Sequence, residues 1–187
     1  MRRTAEDAER TRLALLEAAL MAFEEKGWRG ATFEHVAERA GLTRGALHHH
    51  FRSKAVLLEE ALTWGWAEYG NHLFVHNGEA TLSALLTEFV TLLRDDALFR
   101  ALAASTVLVA PQALTDRSEK NAALDAWRDQ IAATLPSTGE ADSETVAGLA
   151  LVFLQGLTVT AVTRPDDLPQ PDELSAAMTA LARGLLT

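Results

Sequence analysis

The chain has no cysteine among its 187 residues. That excludes a disulfide framework, a thiolate nucleophile and a cysteine-ligated metal. Tyrosine occurs once and proline five times. Three of the prolines crowd together at Pro165, Pro169 and Pro171, so long stretches elsewhere carry nothing that interrupts a helix. There is no two-residue alternation of apolar and polar side chains, hence no strand pattern, and no internal repeat. No Gly-rich phosphate loop, nucleophile–base pairing or metal triad is legible. The chain therefore does not read as an enzyme, and no cofactor and no resident metal are expected. The longest apolar candidate, Val146–Val162, is broken by Gly, Gln and Thr and reads as too interrupted to span a membrane. The opening residues MRRTAEDAER are charged and lack an apolar signal core, so a cytoplasmic location and no membrane partner are expected.

What is present is helix. Apolar residues make up 48% of the chain, enough for a sizeable packed core. Helical periodicity predicts segments over roughly 8–26, 33–40, 43–50, 53–76, 80–93, 96–109, 116–135, 143–163 and 172–186. Gly27, Asn77-Gly78, Pro111 and Pro136 are the expected stops, and 136–142 is the expected loop. The net charge of −9 is unevenly spread. Residues 1–55 hold ten Lys and Arg against eight acids, a local net of +2, and the remainder carries −11. A phosphate-binding face needs only local basicity.

The most informative stretch is 32–54, TFEHVAERAGLTRGALHHHFRSK. Thr32 can cap a first helix whose apolar face is Phe33, Val36, Ala37 and Ala40. Gly41 follows where a tight turn needs positive φ, Leu42 plugs the turn, and Thr43 can cap a second helix. Leu47 then lands back on the first. A small residue at the helix crossing, Gly four later and an aliphatic six after that form a specific combination: a helix-turn-helix that presents its second helix to a DNA major groove.

From Arg10 to about Leu62 the chain resembles the TetR family of bacterial transcriptional repressors. GLTRGALHHHFRSKAVLLEEAL looks like that family's recognition helix, its aromatic exit and the start of its long fourth helix. Thr43-Arg44-Gly45-Ala46 resembles the opening of the recognition helix in repressors of multidrug efflux pumps. The family usually has Tyr where this chain has His48, which can still donate to a phosphate but with a pH-dependent strength. The resemblance implies an all-α fold. A three-helix helix-turn-helix DNA-binding domain would occupy residues 1–53, and a helical bundle for ligand binding and dimerisation residues 54–187, with about nine helices in all.

Thr43, Arg44, Gly45, His48 and His49 lie opposite buried Leu47 on the recognition helix. Arg44 is the best base reader, because its fork can take guanine O6 and N7 together. Thr32, His48 and Lys54 sit at element ends, where phosphates are met. Arg2 and Arg3 can enter a flanking minor groove. The run His48-His49-His50 does not converge on one ion, since consecutive helical side chains diverge by about 100°. His72 and His76, four apart, can face one point, and whether they bind metal stays open at this level. Trp66, Tyr69, Phe89, Ser105, Thr106, Val109, Trp127 and Gln155 are the candidate lining of a small-molecule cavity between helices. The resemblance implies an apolar or amphipathic effector. Phe153, Gly156, Leu157 and Thr160, with Leu174, Met178, Leu181 and Leu185, are the candidate dimer interface, a four-helix bundle across a two-fold axis.

These features read together as a dimeric repressor on near-palindromic double-stranded operator DNA, released by a small effector. An activator, or an effector-independent DNA-binding protein of the same fold, is the alternative.

Overall fold

A computed structural model describes residues 5–75, 81–113, 117–135 and 142–186. Among the described residues every regular element is helical. Helix α1 (Ala5–Gly30) departs from helical geometry at Gly27, where φ is 64° and ψ −178°. The expected stop is therefore a break followed by one more turn, in which the Ala31 N–H donates to the Gly27 carbonyl at 3.1 Å. Helices α2 (Phe33–Arg39) and α3 (Arg44–His50) begin as their sequence predicts. Thr32 Oγ1 accepts from the His35 N–H and Thr43 Oγ1 from the Ala46 N–H, each at 3.2 Å. Gly41, at φ 65°, closes α2. Its N–H bonds Glu38 O at 3.0 Å, while the Leu42 N–H bonds Ala37 O at 2.8 Å, which satisfies the carbonyls that a helix end leaves over.

Ser53 Oγ accepts from the Val56 N–H at 3.2 Å and starts α4 (Lys54–Val75). His76, Asn77 and Gly78 lie outside the described residues. Thr81 caps α5 (Leu82–Asp95), and Asp96 caps α6 (Ala97–Ala104) by accepting from the Leu98 and Phe99 N–H groups. The helix expected to stop before Pro111 does not stop. It passes through a π-helical turn, Ser105–Val109, into α7 (Ala110–Ala113). In an α turn a proline ring collides with the carbonyl four residues back, and the wider π turn gives it room. Helices α8 (Arg117–Thr134), α9 (Ser143–Thr163) and α10 (Pro171–Leu186) match the last three predicted segments, with a 3-10 turn, Pro165–Asp167, between α9 and α10.

Two cores result. The first joins α1 to α3 through Leu16, Leu20, Phe23, Val36, Leu47 and Phe51. It does not end at residue 53. Leu57, Leu58, Ala61 and Leu62 of α4 belong to it, and so do Ala101, Leu102, Val109 and Ala110. The second is built by α5, α6, α8, α9 and α10 around Phe89, Phe99 and Trp127. Thus α6 faces both cores: Leu102 looks to the head and Phe99 to the body. Where α4 crosses α6, a Cβ on Gly65 would lie 2.7 Å from Leu102 Cδ1. Gly65→Ala therefore forces a fully buried leucine to move. It should lower stability by ~1–2 kcal/mol in chemical denaturation, and an unchanged midpoint would show that the crossing relaxes freely.

One helix departs from the sequence expectation about membranes. By length and composition α9 is apolar enough to cross one, with a mean hydropathy of 1.9. Its Gly, Gln and Thr do not interrupt the helix. In this fold α9 packs against α5, α6 and α8, and the face left over bears on assembly.

Candidate nucleic-acid interface and internal cavity

Thr43, Arg44, Gly45, His48 and His49 are all exposed on α3, while Leu47 behind them is fully buried. This arrangement follows from the helical period, since one turn-side anchors on α1 and α2 and the other is free for a groove. Thr32 and Thr43 use their oxygens as cap acceptors; the Thr32 hydroxyl also bonds the Glu34 carboxylate, and the Thr43 hydroxyl keeps a proton to donate. Arg44 is not loose. Its Nη1 lies 2.7 Å from Glu34 Oε1, and its Nε donates to His48 Nε2 at 3.2 Å. The His48 ring in turn leans on Phe33, with centroids 4.9 Å apart. His49 meets His50 edge-on.

Lys54 has a different environment from the one its sequence position suggested. Its Nζ donates to the Trp28 carbonyl and sits 4.3 Å from the Trp28 ring centroid. Burial pushes its pKa down. The ammonium tethers the start of α4 to the last turn of α1, and a phosphate would have to compete with both partners. The sequence carried no signal for this, because Trp28 and Lys54 are distant in the chain. Arg2 and Arg3 lie outside the described residues. Two other head cations are paired, Arg12 with Glu60 and Arg39 with Glu25, and Arg100 of α6 pairs with Glu24 of α1.

The three consecutive histidines do not gather. His50 is half-buried beside the fully buried Phe51, and His48 and His49 are exposed. His72 Nε2 lies 3.0 Å from Glu88 Oε1, and its proposed companion His76 is outside the described residues. Among the described residues no three His, Asp or Glu side chains are grouped as a metal site.

Between α4, α5, the π turn, α8 and α9 lies an apolar cavity. Trp66, Phe89, Thr106, Trp127 and Gln155, five of the eight residues expected from sequence, line it. The other three lie elsewhere. Tyr69 donates to Asp96 Oδ2 at 2.6 Å and opens on a separate groove; burial first, then that bond, raises its pKa well above the ordinary range. Val109 belongs to the head core. Ser105 is fully buried outside the lining, its Oγ without a hydrogen-bond partner among the described residues. The sequence reading missed Thr158, although it sits three residues after Gln155 on the same helical face. The walls are aromatic and interlocked. Trp66 and Trp127 are 4.5 Å apart between centroids, and Phe89 meets Trp127 at 5.6 Å. Trp66 Nε1 donates to Thr106 Oγ1 at 2.9 Å, and Thr106 donates to Leu102 O at 2.9 Å. Among the described residues no charged side chain lines the cavity. Its volume is about 20 Å³, room for roughly one water.

The candidate dimer residues divide in two. Leu157 of α9, and Leu174 and Met178 of α10, are buried in their own protomer; α10 packs its apolar stripe on α5, and α9 packs on α5, α6 and α8. Leu181 and Leu185 are half-buried against the same core. Gly156 is exposed, and a Cβ there would meet nothing within 4 Å among the described residues. Phe153 and Thr160 are partly exposed beside it. Sequence reasoning missed the large apolar side chains of this outer face, Leu149 at 53% and Val152 at 66% exposed. The spacing 149, 152, 156 was the available signal.

Comparison with known proteins accounts for the head. The sequence pattern of the family described as "Bacterial regulatory proteins, tetR family" matches residues 15–61. The transcriptional regulator TtgR of Pseudomonas putida is 45% identical over 62 residues, which are 33% of this chain and 30% of TtgR. The match thus spans under a third of that relative's length. The transcriptional repressor AcnR of Corynebacterium diphtheriae is 30% identical over 132 residues, 64% of this chain and 70% of AcnR. The crystal structure of FadR from Bacillus subtilis, in complex with stearoyl-CoA, superposes with a TM-score of 0.71 at 16% identity. It covers 93% of this chain and 97% of FadR, and at that identity the likeness speaks for the fold alone.

Proposed function

The chain belongs to the TetR family of bacterial transcriptional regulators, and from that premise we propose that it is a cytoplasmic, homodimeric repressor released from its operator by a small molecule. The observation that carries the reading is continuity. One helix, α4, leaves the DNA-facing motif without a linker, shares the head core through Leu57, Leu58 and Ala61, and places Trp66 in the wall of the cavity. Two heads would enter successive major grooves of a near-palindromic site, with half-sites about one DNA turn apart.

The cavity chemistry supports an uncharged apolar or amphipathic effector, since its polar groups are the neutral Thr106, Gln155 and Thr158. In the present conformation it is too small for one. An effector therefore has to displace an aromatic wall, and Trp66 is the wall that belongs to α4. For a ligand to silence DNA binding it must favour the displaced state, and a hundredfold preference is ~2.7 kcal/mol. AcnR is a repressor by name, which favours repression over activation.

The test is operator release and thermal shift across a panel of uncharged aromatic and amphipathic compounds. Trp66→Phe keeps an aromatic ring, smaller than the indole, and removes the bond to Thr106, worth ~1 kcal/mol. It should lower the effector concentration for half-release about fivefold. Unchanged sensitivity would mean that this bond does not hold the closed state. The small cavity also favours a rival, effector-independent DNA binding, and a panel in which no compound shifts melting or release would support it.

A further inference from the structure

Arg44 is held by two neighbours that the DNA-binding reading does not require. Glu34 stands in the first turn of α2, two residues after the Thr32 cap. The Gly41 turn brings α3 back beside it, so that Glu34 Oε1 meets Arg44 Nη1 at 2.7 Å. One turn along α3, His48 Nε2 accepts from Arg44 Nε at 3.2 Å, and the imidazole is itself propped on Phe33. Glu34 and Arg44 are both well exposed, at 56% and 62% of their side chains. The pair thus faces whatever the recognition helix faces. A hydrogen bond from its own backbone amide, then the Arg44 charge among others, keeps the Glu34 carboxyl below its ordinary pKa, so it is an anion wherever DNA is bound.

A carboxylate on a DNA-facing surface is a cost, because phosphates repel it. Its position invites a reason, and the guanidinium geometry supplies one. Of the five N–H groups of Arg44, His48 takes the one on Nε, while Glu34 is the ion-pair partner of Nη1. At least three N–H groups on the two terminal nitrogens remain, enough for guanine O6 and N7 together. A free arginine loses side-chain freedom when it docks, and one already clamped loses less. A fork held at two points also swings to a neighbouring base or phosphate less readily than an unheld one, by the modest margin that an exposed pair supplies.

We propose that Glu34 is a positioning residue for base recognition: it holds Arg44 in the pose that reads one base pair, raising discrimination at the expense of general DNA affinity. The proposal rests on the reading of Arg44 as a base reader. Its two consequences have opposite signs, which separates it from a structural role. Removing the carboxylate tightens binding to random DNA and loosens the choice of base.

The experiment selects bound sequences from a randomised duplex pool with the full-length chain and with Glu34→Ala, Glu34→Gln and Arg44→Ala. Affinity is then measured on the selected and on random duplex, with thermal unfolding of each variant. Arg44→Ala should lose its preference at one base pair per half-site. Glu34→Ala should keep the rest of the motif, lose about fivefold in preference at that same base pair, and bind random DNA about two- to threefold more tightly at low salt. Glu34→Gln keeps an acceptor without the charge and should fall between. Wild-type preference in Glu34→Ala would overturn the role of Glu34 while leaving the reading of Arg44 intact. So would an equal loss on both duplexes with a lowered melting temperature, which marks a structural role. Wild-type preference in Arg44→Ala would remove the base-reading assignment itself, and the proposal with it.

Discussion

Gly156→Leu is expected to turn the proposed dimer into a monomer and to cut operator affinity by at least about a hundredfold. The structure sharpens this expectation. Among the described residues nothing lies within 4 Å of a Cβ at position 156, so the backbone of α9 has room for a side chain there. A second copy of α9 seated on Leu149, Val152 and Gly156 would meet it. Overpacking there costs ~1–3 kcal/mol at each site, and two-fold symmetry applies the change twice. A single head then loses the second half-site, and with it an avidity of roughly 10²–10⁴. Analytical ultracentrifugation reads the assembly, and far-ultraviolet circular dichroism shows that helical content survives. Because an added leucine also contributes apolar area, Val152→Glu is the companion variant. It buries a charge in the same face and should dissociate the dimer further. A dimer of unchanged strength in both variants would place the interface elsewhere, with the exposed flank of α10 the next face to test.

Arg44→Ala should cost specific binding ~1–3 kcal/mol, with weakened discrimination at one base pair per half-site. Arg44 is exposed, so the substitution should leave the melting temperature nearly unchanged. It also strips Glu34 of its partner, and the bare carboxylate will repel phosphates on any sequence. That loss is common to operator and random DNA and cancels in their ratio. The ratio is therefore the quantity to measure, and an unchanged ratio would reduce Arg44 to a general electrostatic contact.

The head was legible because its signals are local. Thr32, Thr43 and Ser53 each accept the backbone N–H three residues on, and Gly41 takes the positive φ that the turn demands. Each depends on neighbours within one turn. Lys54 shows where this reach ends. Its position at the start of α4 was plain, but the Trp28 carbonyl and ring that engage it come from 26 residues earlier. Pro111 shows a second limit. Its ring breaks an α turn by rule, yet the chain passes it through a π turn that no local pattern announces.

The amino-acid sequence by itself determined that this protein is all-α, where nearly every helix lies, and which face of α3 is free, because capping, φ preference and helical period act over three or four residues. Only the tertiary structure decided which way the apolar stripes look. Leu174 and Met178 of α10 close their own protomer on α5, whereas Leu149 and Val152 of α9 stay exposed. Tyr69, Ser105 and Val109 leave the cavity for other surroundings, and Thr158 joins it. The physical reason is that burial of apolar area is non-directional. A stripe states that it must be covered, and the packing of elements distant in the chain determines what covers it.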